Sequence, residues 1–365
     1  MRTAGGWPAV RMADATEASR LMFKRKFKLL TLLICVGLFV LLIEKTGPAT
    51  IASRVYEVGS GFLILILLAG IRHLLRTTAW YNAIERQERR IRFRDLFGIR
   101  LAGEAITDLT ILGPLLGETV KGVTLAKHVA AEHSASSVVV ENLAYSFSVG
   151  LFIVSGLVVF VSKYPLPSAV RVSGLILLVV LCVVGFLIGL IVKKRYRVAS
   201  RVFDRLKGMD FRWLDRLRDK REKVIQFEEN VYSFWRAHKG SSAFILSLEL
   251  LSIFSGVIEA WIILSLTVHR ASLFAAFMVE TVNRIVNLFF SFVPMRVGVD
   301  EGGAALVLKT VGYGAAEGVS LAIIRKIRTL FWVAVGLVMV NHYSLSLKVK
   351  GDKTEKNGPI VTASK

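Results

Sequence analysis

Seven long apolar runs constrain this chain more than any other feature. They cover residues 27–43, 58–80, 136–161, 172–192, 242–266, 271–293 and 318–341. A helix of about 20 apolar residues spans the hydrocarbon core of a bilayer, where unpaired backbone N–H and C=O groups are too costly. One such run could be a buried core helix, but seven in one chain could not. We therefore predict an all-α, polytopic membrane protein with seven or eight transmembrane helices.

The distribution of basic residues predicts the orientation of the chain. The net charge of +21 is concentrated in the leader before the first run, in five arginines between 86 and 94, and in thirteen Lys and Arg between 193 and 223. Lys and Arg stay on the cytoplasmic side of membrane proteins. The N-terminus, the 82–97 loop and the 193–241 loop are therefore predicted to be cytoplasmic. This charge favours anionic lipid headgroups as partners and argues against nucleic acid.

Composition divides the chain into three parts. Residues 1–26 are a cytoplasmic basic leader, residues 27–345 a transmembrane domain, and residues 346–365 a tail predicted to be disordered. The leader ends without a cleavage signal, so the first run is predicted to be a retained span. Helical spacing of apolar residues in the 193–241 loop predicts an amphipathic helix on the inner leaflet, with a solvated connector as the alternative. Those apolar residues are Leu214, Leu217, Val224, Val231 and Trp235.

Two segments interrupt the series of spans, residues 98–134 and 294–317, and both are too polar to face lipid. Each contains a proline, then a glycine, then an acid: Pro114, Gly117 and Glu118 in one, Pro294, Gly298 and Glu301 in the other. Broken backbone at membrane depth is tolerated only where protein or water surrounds it. Paired interruptions in the two halves of a chain indicate a transporter's binding site. We therefore expect two re-entrant segments and an internal two-fold repeat.

The C-terminal lysines bear on the number of crossings. Seven spans from a cytoplasmic N-terminus place the tail outside, but Lys348, Lys350, Lys353 and Lys356 favour the cytoplasm. An eighth crossing at about 297–314 would resolve this conflict.

Several ionisable residues lie inside the apolar runs, at a cost of about 2.5–3.5 kcal/mol each. Arg72 and Arg76, late in the second run, are expected to reach the cytoplasmic headgroups. Glu280 and Arg284 are four residues apart, so they share a helix face and can pair. The remaining members of this set are Glu141, Glu249, Glu259, Arg325 and Arg328. So many charges predict a shared polar interior.

No motif in the sequence predicts catalysis or a cofactor. In GPLLGETVKGVT, residues 113–124, lysine precedes glycine, which is the reverse of the order in a nucleotide-binding P-loop. His128 and His133 are five residues apart, so their side chains diverge by about 140° and do not form a zinc site. Cys35 and Cys182 lie in apolar runs and are predicted to be small core residues. We predict that the protein is not an enzyme and has no metal or cofactor; a membrane-embedded enzyme using paired carboxylates is the alternative.

Several stretches carry a resemblance to a known family. They are PLLGETVKGVTLAKH, SVVVENLAYSFSVGLFIVSGLVVF, FEENVYSFWRAHKGSSAFILSLELLS and FVPMRVGVDEGGAALVLKTVGYGAAEGVSLAIIRKIRTLFWVAVGL. In this order and spacing, residues 58–341 resemble the flippase-like transmembrane domain of lysylphosphatidylglycerol synthases and its standalone bacterial relatives. The chain contains no C-terminal acyltransferase-like domain, so the resemblance does not imply aminoacyl transfer.

The resemblance implies a set of functional residues. These are Gly117, Glu118, Lys121, Glu141, Pro294, Gly298, Glu301 and Arg325, to which the predicted Glu280–Arg284 pair is added as part of a substrate-binding site. The chain departs from the family pattern at Asn142, where arginine is common, and at Met295 and Arg296, which replace a glycine-rich run.

The expected function is flippase-like translocation of a lipid with an anionic headgroup across the bacterial inner membrane. Lys121, Arg284 and Arg325 would hold a phosphate by charge-assisted hydrogen bonds. Glu118, Glu141 and Glu301 would neutralise these cations when the site is empty. The alternative is a non-transporting protein that presents lipid to a partner glycosyltransferase or lipid synthase. Phosphatidylglycerol derivatives, polyprenyl phosphates and hopanoid-type lipids all remain candidates, and the oligomeric state stays open.

Overall fold

The computed structural model describes residues 56–163, 168–194, 221–237, 239–268 and 271–355, together with the single residues Gly37, Glu44, Ala49 and Ser53. The basic leader, nearly all of the first apolar run, Cys35 and residues 195–220 lie outside this part. Within the described ranges the regular structure is entirely helical. The predicted all-α class is therefore confirmed.

Ten α-helices are described. The first five are α1 Gly61–Ala83, α2 Phe93–Leu109, α3 Gly113–Leu125, α4 Ala131–Lys163 and α5 Ser168–Lys194. The second five are α6 Arg221–Ala237, α7 Lys239–Thr267, α8 Leu273–Phe290, α9 Val299–Thr310 and α10 Ala315–Glu355. Single turns of 3₁₀ helix lie at Arg86–Glu88 and Pro294–Arg296.

Four of these helices, α1, α4, α7 and α8, are long and apolar enough to cross a membrane. The apolar part of α5 is shorter, Arg171–Leu187. Its Cys182 is a free, exposed thiol, so the predicted core position is wrong for this residue. Helix α10 carries Arg325, Lys326 and Arg328 within its apolar stretch and continues to Glu355, past the predicted start of the disordered tail. The protein is an integral membrane protein.

The interrupted segment 98–134 folds as a helical hairpin made of α2 and α3. The helices have 17 and 13 residues, or about 26 and about 20 Å of length, so each is shorter than the hydrocarbon core. A turn of Thr110, Ile111 and Leu112 joins them. Gly113 and Gly117 lie directly against Thr107, and a side chain at either glycine would overlap it. Glycine is thus what allows α3 to pack this closely on α2.

The second interrupted segment begins with the turn Pro294–Arg296 and forms α9, which packs against the preceding α8 as a second hairpin, with Gly303 beside Val286. Helix α9 has 12 residues and a length of about 18 Å, too short to form the eighth crossing expected at 297–314. In the turn, Met295 and Arg296 both have φ of 47°, in the left-handed region that non-glycine residues seldom adopt. The Met295 side chain is buried in an apolar cluster that includes Leu109 of α2 and Leu330 of α10. That cluster holds the hairpin turn in place.

Close helix contacts join the two hairpins to the rest of the bundle. Helices α1 and α7 run antiparallel, because Arg72 contacts Glu259 whereas the later Arg76 contacts the earlier Glu249. Gly156 of α4 lies against Thr281 of α8. Gly336 of α10 lies against Leu101 and Ala105 of α2. Small residues at such crossings let helices approach closely in membranes.

The 193–241 loop contains the amphipathic helix that its sequence predicts, α6. Val231 and Phe234 are buried in an apolar cluster with Trp80 of α1 and Ile245 of α7. Leu214 and Leu217 lie outside the described residues. Helix α6 is thus attached to the bundle through its apolar face, which disfavours the solvated connector.

Candidate functional site

A cavity of about 410 Å³ lies between the two hairpins, inside the helix bundle. Helices α1, α2, α3, α4, α7, α8, α9 and α10 all contribute to its wall. The cationic side chains in the lining are Arg72, Arg76, Arg284, Arg296, Arg325, Lys326 and Arg328. The carboxylates are Glu104, Asp108, Glu118, Glu259, Glu280 and Asp300. The predicted polar interior of the membrane domain is therefore present.

One group of ion pairs joins α1, α2, α4 and α7, and we call it the Arg76 cluster: Arg76, Arg100, Glu104, Glu141 and Glu249. The Arg76 guanidinium lies 3.2 Å from Glu104, 3.1 Å from Glu141 and 3.4 Å from Glu249. Arg100 lies 3.1 Å from both Glu104 and Glu141. The Arg76 guanidinium also lies over the ring of Tyr145, 4.0 Å from its centroid. Two arginines thus share three glutamates.

A second group joins α1, α7, α8 and α10, and we call it the Glu280 cluster: Arg72, Glu259, Glu280, Arg284, Arg325 and Arg328. Arg284 and Arg325 lie 2.6 and 2.8 Å from Glu280. Arg72 and Arg328 both contact Glu259, Arg328 at 3.0 Å. The predicted pairing of Glu280 with Arg284 is confirmed.

The expectation that Arg72 and Arg76 reach the cytoplasmic headgroups is wrong. Their side chains are only 19% and 14% exposed, and both form ion pairs inside the bundle. The physical reason is that carboxylates on α2, α4 and α7 lie within reach, so the two arginines do not need to extend to the membrane surface.

The first hairpin places its predicted site residues in two different settings. Glu118 lines the cavity, lies 2.6 Å from the Lys121 ammonium and accepts a hydrogen bond of 2.8 Å from Asn142. Lys121 is 2% exposed, lies beneath Trp80 and is not part of the cavity lining. Gly117 serves the packing of α3 on α2. Asn142, one of the departures from the family pattern, therefore orients Glu118.

The second hairpin places its predicted residues around the N-terminus of α9. Gly298 has φ of 86° and its N–H donates to Glu301 at 2.8 Å, and Glu301 also pairs with Lys326 of α10. Arg296 lies 3.1 Å from Asp300 and donates to Asn287 at 3.2 Å. Pro294 begins the 3₁₀ turn and precedes Met295, which lines the cavity.

The structure thus brings some of the predicted site residues to the cavity and leaves others behind its wall. Glu118, Glu280, Arg284 and Arg325 line it. Gly117, Lys121, Glu141, Pro294, Gly298 and Glu301 do not, although Glu141 and Glu301 pair with the lining residues Arg76 and Lys326. Sequence reasoning missed the roles of Arg100, Glu104 and Lys326. Arg100 and Glu104 are four residues apart and therefore share a helix face, so this pair could have been predicted from the sequence.

Two further residues of the lining make few contacts. Asp108 has no ion pair within 4 Å in the described part of the chain, and the His73 ring lies tilted against Trp332 with ring centroids 5.0 Å apart. No group of three His, Cys, Asp or Glu that could hold a metal ion occurs among the described residues. The chemistry that the cavity offers is recognition of charge by arginines and carboxylates.

Comparison with known proteins gives one result. The family model described as lysylphosphatidylglycerol synthase TM region matches residues 28–336. No curated protein and no solved structure matches the chain. The matched range includes both hairpins, both ion-pair clusters and the whole cavity lining. The chain belongs to the lysylphosphatidylglycerol synthase TM region family.

Proposed function

We propose that this protein translocates a lipid with an anionic headgroup across the bacterial inner membrane, without changing the lipid chemically. The observation that carries the proposal is the charged cavity between two hairpins in an otherwise apolar bundle. Ionisable residues inside a membrane are expensive and mark the paths of substrates and ions. A 410 Å³ cavity is large enough for a headgroup, while the acyl or prenyl chains would remain in the surrounding lipid.

Equivalent positions in the two halves support an internal repeat. Arg100 lies seven residues after the start of α2 at Phe93, and Glu280 lies seven after the start of α8 at Leu273. Their partners, Glu141 and Arg325, each lie ten residues after the start of a long helix, α4 or α10. The two pairs are therefore equivalent in position and opposite in charge.

The direction of the helices supports an inverted repeat. If α1 and α7 are the equivalent first helices, their antiparallel packing requires a pseudo-two-fold axis in the membrane plane. The two hairpins would then enter from opposite sides of the membrane without crossing it. Helix α8 has the length and apolarity of a crossing helix, but in this arrangement the chain turns back at Pro294–Arg296. The predicted span 27–43, with α1, α4, α5, α7 and α10, would make six crossings, and both termini would be cytoplasmic, as the lysines after residue 345 favour.

Inverted repeats support alternating access, in which one repeat moves against the other around a fixed site at mid-membrane. In this proposal the headgroup enters the cavity and pairs with its arginines, and the displaced glutamates pair with their second arginine partners. The shared glutamates of both clusters permit such an exchange. The driving force would be an ion gradient or consumption of the lipid on the destination side.

Reconstitution in liposomes tests the proposal. We expect the purified protein to move fluorescent lipids with anionic headgroups between leaflets, and Arg284→Gln to slow this movement. Arg171→Gln is the matched control, because Arg171 is exposed at the start of α5 and is not in the cavity lining. Movement no faster than in protein-free liposomes, across several headgroup classes, would contradict the proposal. Copurification of a lipid-modifying enzyme would then favour the lipid-presenting alternative.

A further inference from the structure

The Glu280 cluster contains more positive than negative charge. Its four arginines, Arg72, Arg284, Arg325 and Arg328, share two glutamates. The two glutamate side chains are 1% and 2% exposed, and no arginine of the cluster is more than 19% exposed. Four cations against two anions leave a formal excess of two positive charges at one wall of the cavity.

The remaining contacts of these arginines are with neutral groups. Arg72 donates to the Ser255 hydroxyl at 3.1 Å, and Arg284 donates to the Tyr145 hydroxyl at 2.9 Å. Arg325 donates to the Gly256 carbonyl at 2.6 Å, and Arg328 donates to the Thr329 hydroxyl at 3.1 Å. None of these acceptors carries charge, so none offsets the excess.

Hydrogen-bond donors in the cluster also outnumber its acceptors. The buried Nε atoms of Arg284, Arg325 and Arg328 have no hydrogen-bond partner among the described residues, and on the acceptor side the same holds for Glu259 Oε1. A buried donor without an acceptor costs about 1–3 kcal/mol, and more when the group is charged. The wall therefore has more unpaired donors than unpaired acceptors, and more positive than negative charge.

No other carboxylate of the described chain compensates the excess by direct contact. Asp108 lines the same cavity from α2 but forms no ion pair within 4 Å. The three glutamates of the Arg76 cluster exceed its two arginines by one charge, but their ion pairs are with Arg76 and Arg100 and not with the Glu280 cluster. Asp300 is engaged by Arg296, and Glu118 by Lys121.

The geometry points to a binding site for a phosphomonoester dianion at the cavity wall formed by Arg72, Arg284, Arg325 and Arg328. A phosphomonoester carries a charge of about −1.5 to −2 near neutral pH and three acceptor oxygens. A phosphodiester carries a single charge and leaves one arginine uncompensated. Arginine is also the side chain best suited to bidentate phosphate contacts. This inference rests on the proposed lipid-binding role of the cavity and narrows the headgroup class.

Binding measurements on the full chain test the headgroup class. The probes are phosphatidate and phosphatidylglycerol, each added to phosphatidylcholine nanodiscs that hold the protein, and the readout is the shift in Tm as lipid content rises. One extra charge-assisted contact predicts that phosphatidate binds about tenfold or more tightly than phosphatidylglycerol. Equal affinities for the two lipids, or no shift with phosphatidate, would overturn the inference.

Soluble probes identify where the phosphate comes from. Inorganic phosphate and glycerol 3-phosphate are added to nanodiscs of phosphatidylcholine alone. A Tm shift with these ions equal to that with phosphatidate supports a site for free phosphomonoesters. A shift with phosphatidate alone supports a lipid site.

Substitutions at Thr329 and Arg328 test whether the preference for phosphatidate depends on the excess positive charge of the Glu280 cluster. Thr329→Asp places a carboxylate beside Arg328, so the preference for phosphatidate over phosphatidylglycerol should fall about tenfold. Thr329→Asn has the same shape without the charge and should keep the preference. Arg328→Gln should also lose it, without lowering the Tm of the lipid-free protein, because Arg72 still pairs with Glu259 and the positive excess of the cluster falls by one. An unchanged preference in both Thr329→Asp and Arg328→Gln would contradict the assignment.

Different experimental outcomes would disprove the phosphomonoester site and the proposed translocation. A protein that moves phosphatidylglycerol in liposomes but shows no preference for phosphatidate disproves the phosphomonoester site and leaves translocation supported. A protein that prefers phosphatidate in nanodiscs but moves no lipid keeps the site and disproves the translocation.

Discussion

Arg100 of α2 and Glu141 of α4 form an ion pair of 3.1 Å in which the arginine side chain is fully buried. Glu280 of α8 and Arg325 of α10 form a second pair, 2.8 Å apart, with the charges exchanged. Each pair connects the first helix of a hairpin to the long helix that follows the hairpin. Each hairpin is thus attached to the bundle by an ion pair, and the two pairs have opposite polarity.

Reversal of the Arg100–Glu141 pair should be tolerated better than loss of either partner. Arg100→Glu or Glu141→Arg alone leaves like charges buried together, and breaking a buried pair costs about 3–5 kcal/mol. The double variant restores an attractive pair and the net charge of the Arg76 cluster, although it also places like charges beside Glu104 and Arg76, so the recovery should be partial. Thermal unfolding in detergent should show a higher Tm for the double variant than for either single one. A double variant less stable than both would contradict the equivalence of the two pairs.

Side chains introduced at the glycines of α3 should disrupt the first hairpin. Gly117→Val places a branched side chain against Thr107 and the carbonyl of Gly103, and overpacking of this kind typically costs about 1–3 kcal/mol. Gly122→Ala is the matched control in the same helix, because a Cβ at Gly122 meets no atom within 4 Å. The measurement is Tm in detergent, with a loss expected for Gly117→Val and none for Gly122→Ala. Equal behaviour of the two variants would show that the close contact does not hold the hairpin.

Truncation of Met295 should loosen the second hairpin. The side chain is 5% exposed and fills an apolar cluster between α2 and α10, so Met295→Ala should cost about 2–5 kcal/mol. The exposed residue Leu288 is the control, since Leu288→Ala on the same hairpin removes no buried contact. Hydrogen exchange of residues 291–298 should increase in Met295→Ala and stay constant in Leu288→Ala. Unchanged exchange in Met295→Ala would mean that the backbone alone fixes the turn.

Lys121 should prove structural and not part of the lipid site. Its ammonium pairs with Glu118 behind the cavity wall, so Lys121→Met alone should destabilise the protein by about 1–3 kcal/mol by leaving Glu118 without its partner. Adding Glu118→Gln should recover most of the loss, because replacing both members of a buried pair is often neutral. Lipid movement by the single variant Lys121→Met, measured in liposomes at equal amounts of folded protein, should stay near that of the unmodified protein, because Lys121 does not line the cavity. A loss as large as that of Arg284→Gln would place Lys121 in the binding site after all.

The sequence predicts the local features of this site and misses the distant ones, for a physical reason. Glu280 and Arg284 lie on one turn of one helix, so their spacing alone predicts their contact. The partners of Arg72 and Arg76 on α7 lie more than 170 residues further along the chain, and no periodicity links them. The prediction that these arginines reach the membrane surface was wrong for that reason.

Hairpin geometry was predictable only in part. Proline, glycine and an acid mark both interruptions, and their polarity excludes lipid exposure. An eighth crossing at 297–314 was predicted because an even number of crossings places the C-terminal tail in the cytoplasm. Helix α9 has only 12 residues, so it is too short to span the hydrocarbon core. The approach of Met295 to α2 depends on a left-handed backbone at a methionine, which residue preferences argue against.

The glycines also determine how freely each hairpin can be re-engineered. Gly113 and Gly117 leave no room for even one methyl group, whereas Gly302 of α9 faces open space. A library of substitutions should therefore recover few functional sequences at the first two positions and many at the third. Redesign of this scaffold should therefore begin at α9.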